Sequence, residues 1–169
     1  MIVVVLGGIR SGKSELAEQL AGRLGEPVTV LVPARPDDPD FAARVRVHQA
    51  RRPPSWVTIE CGLDLPGALG QVRGVALVDS LGSWVAAAPD FAADPTSVLD
   101  ALARRDCPTV LVSEEVGLSV HPPTELGRRF ADALGALNTA VAAIADRVLL
   151  CVAGRVVRLD SAAGALDGS

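Results

Sequence analysis

Gly7-Gly8-Ile9-Arg10-Ser11-Gly12-Lys13-Ser14 decides the fold of this 169-residue chain. Its spacing is that of a phosphate loop, G-x-x-x-x-G-K-[ST], whose glycines let backbone N–H groups turn toward phosphate oxygens. Lys13 is the only lysine among 16 basic residues; all the others are arginine. At that position the side chain has to reach the β- and γ-phosphates as a compact, mobile charge, and the planar fork of arginine is not equivalent. The hydroxyl of Ser14 is suited to ligate Mg2+ beside the phosphates. Residues 2–6 are a short apolar, β-branched run, and residues 15–24 read as a helix. Strand, loop, helix is the order that sets a helix N-terminus behind the phosphates.

Outward from the loop, the same alternation continues. The pattern predicts strands over 28–32 and 56–60, and apolar strand runs over 75–78, ending at Asp79, and over 109–112, followed by Ser113-Glu114-Glu115. A helix is predicted over 37–50, with acidic residues in its first turn. Pro122 or Pro123 opens the longest predicted helix, which runs to about Asp146 with Leu126, Phe130, Leu134, Leu137 and Val141 at helical spacing. Runs over 148–152 and 156–159 flank Gly154-Arg155 and predict a hairpin with a two-residue turn. The expected architecture is α/β, of the phosphate-loop (RecA-like) type: a mostly parallel sheet with flanking helices and a C-terminal β-hairpin, ligands lying at the carboxyl ends of the strands. Residues 1–160 are expected to form a single nucleotide-binding domain, and the small, polar tail over 161–169 to fray.

Composition agrees with a buried parallel sheet. Hydrophobic residues make up 49% of the chain but aromatics only 3%, so the core has to be Val, Leu, Ile and Ala. A net charge of −4 argues against a nucleic-acid partner held by charge. Cys61, Cys107 and Cys151 are far apart and odd in number, which fits small buried hydrophobes in a reducing cytoplasm. The first apolar run is too short for a signal peptide, and no stretch approaches a membrane span.

The loop implies a nucleoside triphosphate without saying what is done with it. Asp79 ends an apolar strand, where such folds place an acidic group that helps hold Mg2+; capping the next turn is the other reading. Asp79-Ser80-Leu81-Gly82 also has the D-x-x-G form of switch GTPases. Those proteins read guanine with N-K-x-D, and here the one asparagine, Asn138, is followed by Thr139, while the one lysine is already in the loop. A switch-GTPase base site is therefore excluded. In Arg44-Val45-Arg46-Val47-His48-Gln49-Ala50-Arg51-Arg52-Pro53, helical spacing places Arg44, His48 and Arg51 on one face. An imidazole between guanidiniums suits attack on a phosphate, but the residues alone favour a solvated basic face.

Several segments together resemble one family, the bifunctional adenosylcobinamide kinase / adenosylcobinamide-phosphate guanylyltransferases of cobalamin biosynthesis. Gly7 to Ser14 is similar to its G-G-A-R-S-G-K-S loop, and Arg44 to His48 with Arg52-Pro53, Trp56, Thr58 and Glu60 to its R-I-x-x-H…R-P-x-x-W-x-T-x-E stretch. Val112-Ser113-Glu114-Glu115-Val116-Gly117 resembles V-S-N-E-V-G. Leu126-Gly127-Arg128-Arg129-Phe130-Ala131-Asp132, with Gly135 and Asn138, resembles L-x-R-x-F-R-D-x-x-G-x-x-N, and Ala145-Asp146 with Val152-Ala153-Gly154 resembles the closing A-D-x-V…V-A-G. The resemblance implies that ATP or GTP phosphorylates adenosylcobinamide and that GTP then guanylylates the product through a covalent GMP–histidine, which maps to His48. It implies nucleotide contacts at Gly7, Gly8, Ile9, Arg10, Ser11, Gly12, Lys13, Ser14, Val32, Pro33, Ala34, Gln49, Ala50, Arg51, Arg52, Glu60 and Asp79. It also implies Mg2+ at Ser14 and Asp79, a catalytic Lys13, and a homotrimer.

The chain departs from the family pattern at a few places. Val32-Pro33-Ala34 stands for A-T-A, Asp79-Ser80-Leu81-Gly82 for D-C-L-T, Glu114 for Asn and Ala131 for Arg. His121 falls where the family has an aliphatic residue and reads as a loop histidine. Two other functions are compatible with the loop: a phosphate-loop kinase of another small molecule, which would form no covalent GMP, and a nucleotide-binding paralogue without turnover.

Overall fold

The computed structural model describes residues 1–33, 52–118 and 120–167. The predicted helix over 37–50 lies outside the described residues, and with it Ala34, Arg44, His48, Gln49, Ala50 and Arg51.

The described strands are β1 (Ile2–Gly7), β2 (Val28–Val32), β3 (Val57–Glu60), β4 (Val75–Asp79), β5 (Thr109–Glu114), β6 (Arg147–Val152) and β7 (Arg155–Leu159). They form one sheet in the order β3-β2-β4-β5-β1-β6-β7. Every neighbouring pair is parallel except the antiparallel hairpin β6–β7. The helices are α1 (Lys13–Leu24), α2 (Leu65–Gln71), α3 (Leu81–Ala87), α4 (Pro95–Ala103), α5 (Glu125–Ile144) and α6 (Ala162–Asp167). The architecture is the expected phosphate-loop α/β sheet.

The inner strands β1, β2, β4 and β5 are apolar on both faces because both faces are covered. In β1, Val3 and Val5 join the cluster under α1 with Ala17 and Ala21, whereas Val4 and Leu6 join the opposite cluster with Leu69, Trp84, Leu102 and Leu134. Small alanines on α1 let that helix lie close to the sheet.

Several boundaries differ from the sequence pattern, for local reasons. The longest helix begins at Glu125, not at the prolines: the Thr124 hydroxyl accepts the Gly127 N–H at 3.1 Å and caps it. Pro122 and Pro123 remain outside, their carbonyls accepting from the Arg128 guanidinium at 3.2 Å each. The hairpin turn is Ala153-Gly154, one residue earlier than the pattern predicts, with φ 49° and 71°. Two consecutive positive φ values are those of a type I′ turn, whose twist matches the flanking strands. Helices α2, α3 and α4 are short and each is opened by a cap: Asp64, Ser80 and Asp94 each accept a first-turn N–H. The tail expected to fray contains the short helix α6, exposed from Ala162 to Leu166.

Candidate functional site

The phosphate loop leaves the carboxyl end of β1 and enters α1 directly. Gly12 stands at φ 94°, a left-handed conformation that a side chain would strain, and turns the chain into the helix. No side chain caps α1 among the described residues, so its first N–H groups stay available to an anion. Ile9 is 89% exposed at the loop tip, beside exposed Gly8 and Arg10. The loop is pinned from outside by the hairpin turn: the Ser11 carbonyl accepts from the Gly154 N–H at 2.9 Å and from the Cys151 thiol at 3.0 Å. Cys151 is therefore a buried hydrogen-bonding group and not merely a small hydrophobe.

The Lys13 ammonium is nearly buried. It donates to the Gly8 carbonyl at 3.2 Å and lies 3.7 Å from Glu114 Oε1. Ser14 Oγ donates to Asp79 Oδ1 at 3.3 Å, so the two residues expected to share Mg2+ meet at the mouth of the loop. Both are hard oxygen donors, and a magnesium ion held by one carboxylate, one hydroxyl, phosphates and waters suits such a pair. β5 lies between β4 and β1, so Asp79 stands one strand removed from the loop strand and still faces it across the strand ends.

Arg52 closes the other side. Its Nε donates to Glu18 Oε1 at 2.8 Å and its Nη2 to Asp79 Oδ2 at 3.1 Å, with the side chain 4% exposed. Arg52 thus holds Asp79 through the carboxylate oxygen that Ser14 does not take. Sequence reasoning does not reach Glu18, although Ser14 and Glu18 are four apart on α1 and share a face.

Glu114 ends β5. Its two carboxylate oxygens accept from Ser80 Oγ at 3.1 Å each. Behind it, Asn138 of α5 donates from Nδ2 to the Glu114 carbonyl at 3.0 Å, and accepts from Ser113 Oγ at 2.6 Å.

The remaining predicted residues lie elsewhere on the sheet. Val32 ends β2 and is buried, as is Pro33 after it. Glu60 ends the edge strand β3 and is exposed. It is four strands from β1, about 19 Å at the usual spacing of about 4.8 Å, too far to share a cation with Ser14. Next to it, burial pushes the Cys61 thiol up to about 11, so it stays protonated near neutral pH. His121 is exposed, beside a cleft of about 1390 Å³ between α5 and the β6–β7 hairpin. Among the described residues no helix is long and apolar enough to cross a membrane.

A parallel sheet with a phosphate loop at its centre and an acidic strand end one strand away defines a phosphate-loop NTPase fold of the RecA-like class. A solved structure, an ATPase from the type III secretion system of pathogenic bacteria, is similar in fold at a TM-score of 0.51 and 14% identity, over 99% of this chain and 53% of that one. The family described as cobinamide kinase / cobinamide phosphate guanyltransferase matches residues 3–159, and the chain belongs to it. A bifunctional adenosylcobalamin biosynthesis protein, CobP, of Pseudomonas aeruginosa is 37% identical over 89% of this chain and 92% of its own. The bifunctional CobU protein of Salmonella typhimurium is 33% identical over 94% of this chain and 99% of its own. The protein is a transferase.

Proposed function

We propose that the protein phosphorylates adenosylcobinamide with ATP or GTP and then transfers GMP from GTP to adenosylcobinamide phosphate, giving adenosylcobinamide-GDP. The observation that carries this reading is the family match over residues 3–159, which includes the loop, Asp79 and His48 in one chain. In the first step the acceptor hydroxyl attacks the γ-phosphorus and a nucleoside diphosphate leaves. Lys13 and the first N–H groups of α1 neutralise the charge on the transferred group. Mg2+, held by Ser14 and Asp79, would supply further neutralisation of the phosphates. In the second step a ring nitrogen of His48 attacks the α-phosphorus of GTP and pyrophosphate leaves. The corrinoid phosphate oxygen then attacks that phosphorus and the P–N bond breaks. Arg52 lies in the site, and the four residue-to-residue steps from it to His48 span at most about 14 Å, a short tether. Ile9, Val32, Pro33, Ala34, Gln49, Ala50, Arg51 and Glu60 would line the rest of the nucleotide path.

We further infer residues 1–160 as one functional domain, a cytoplasmic location and a homotrimer. The exposed apolar residues Val156, Val157 and Leu159 on the edge strand β7 support assembly.

Incubation with α-labelled GTP, followed by denaturing electrophoresis, tests the covalent step. The label should stay on the chain, be lost in acid as a phosphoramidate is, and be absent from His48→Ala. Labelling that persists in His48→Ala would refute the assignment.

A further inference from the structure

Gly135 stands in the interior of α5, where glycine is less stable than alanine. The packing of the chain does not ask for it: among the described residues, a Cβ built there would meet no atom within 4 Å. What Gly135 faces is the cleft of about 1390 Å³ between α5 and the β6–β7 hairpin. A helix that gives up a side chain with no neighbour to make room for keeps that space open for something outside the chain.

We propose that this cleft seats the corrinoid, adenosylcobinamide or its phosphate, an inference that rests on the function proposed above. The upper end of the cleft abuts the phosphate loop. Leu6, which lines it, precedes Gly7, and Glu115, which also lines it, donates its N–H to the Gly7 carbonyl at 3.1 Å. The preceding residue, Glu114, lies 3.7 Å from the Lys13 ammonium, the group that reaches the β- and γ-phosphates. A ring in the cleft would therefore extend an arm past the end of β5 to the phosphoryl group. The two ligands do not compete for space, because Leu134 of α5 and Ala17 and Ala21 of α1 pack on opposite faces of the sheet.

Size and chemistry fit as well. Clefts that take drug-sized ligands hold roughly 300–1,000 Å³, so this one suits a larger molecule. It follows the strands down to Asp146, whose N–H donates to the Ile2 carbonyl at 2.9 Å. From the level of Leu6 to that of Ile2 is about 13 Å, at about 3.3 Å per residue. Adenosylcobinamide is a broad macrocycle fringed with carboxamide arms, one of which ends in the hydroxyl to be phosphorylated. Ala131, Gly135 and Ala142 give the α5 wall little relief, which suits a broad ring. Asp132 and Asp160 offer acceptors and Arg158 offers donors, the two kinds of group that carboxamides bind.

The test is equilibrium dialysis of adenosylcobinamide, followed by its visible absorbance, against the full chain without nucleotide. Nucleotide Kd is measured by separate titration and oligomeric state by sedimentation. Gly135→Phe fills the cleft and should raise the Kd for adenosylcobinamide by about tenfold or more, while moving nucleotide Kd by less than about threefold. Thr139→Phe, at an exposed position one turn further along the same wall, should do the same, so the result does not hang on one variant folding. Unchanged corrinoid affinity in the folded variants overturns the proposal; if their oligomeric state changes instead, the cleft belongs to a second copy of the chain. A parallel loss of corrinoid and nucleotide affinity also overturns it, since that marks a general distortion. A wild type that binds no adenosylcobinamide sinks the proposed function and this inference together; a wild type that binds it no more tightly than the variants do sinks only the inference.

Discussion

Strand β4 has an arginine at each end, and the two are partnered in opposite ways. At the carboxyl end, Arg52 meets carboxylates, those of Asp79 and Glu18. At the amino end, Arg105 meets backbone: it donates to the carbonyls of Leu69, Val72 and Gly74 at 2.5, 2.9 and 2.8 Å, and to Thr109 Oγ1 at 3.0 Å. Burial pulls the Arg105 guanidinium below its usual range, and carbonyl dipoles take the place of a counter-ion. The amino-end arginine closes the C-terminus of α2 and the starts of β4 and β5, where the backbone groups would otherwise lack partners. The carboxyl-end arginine fixes a carboxylate at the mouth of the phosphate loop. One residue type serves the fold at one end of the strand and the site at the other, because ligands of open α/β sheets bind outside the carboxyl ends of the strands.

Removing Arg52 should have the largest effect. Arg52→Met leaves Glu18 and Asp79 without their guanidinium in a nearly dry place, which should cost about 3–5 kcal/mol of stability, read from urea denaturation. It should also weaken nucleotide binding, since Asp79 would lose its orientation. Arg105→Met should cost about 3 kcal/mol, from unsatisfied carbonyls, with nucleotide Kd unchanged in the folded fraction. If Arg105→Met lowered nucleotide affinity as much as Arg52→Met does, the division between the two ends of β4 would fail.

Lys13→Ala comes next. It removes one charge-assisted contact to the phosphates, about 1.5–3 kcal/mol, which corresponds to about a ten- to hundredfold rise in nucleotide Kd. Titration calorimetry measures it. Fold stability should hold or rise, because Glu114 is part-exposed and keeps its Ser80 hydrogen bond when the ammonium is gone. The smallest effect is expected on the exposed hairpin. Val157, 56% exposed, should tolerate Asp within about 0.5 kcal/mol in the isolated chain. A loss that grows with protein concentration in denaturation experiments would mean that another copy covers β7.

Much of the fold is legible in residues that obey a period or a motif. The five central parallel strands and the hairpin read directly as β-branched runs, and α5 reads from Leu134, Leu137 and Val141, all buried. What the sequence hides is carried by single caps. Asp64, Ser80 and Asp94 start helices of only seven to nine residues, and in Leu65–Gln71 two glycines and a proline argue against helix. Packing on the sheet overrides that weak local preference. Within the candidate site, the loop is legible because phosphate chemistry narrows the residue types, and Asp79 because it ends an apolar strand. Glu18 and Glu114 are not, since an acidic residue on a helix or at a strand end usually meets only water.

By itself, then, the sequence determined the phosphate loop, its sole lysine, the α/β alternation and the family, since each is a matter of residue type at fixed spacing along the chain. Only the tertiary structure decided that Arg52 grips Asp79, that the Ser80 hydroxyl holds Glu114, and that Glu60 stands on the far edge of the sheet. The physical reason is the strand order. Asp79 and Glu114 are 35 residues apart in the chain and become neighbours because β5 lies between β4 and β1. Glu60, only 19 residues before Asp79, is carried to the edge because β2 lies between β3 and β4.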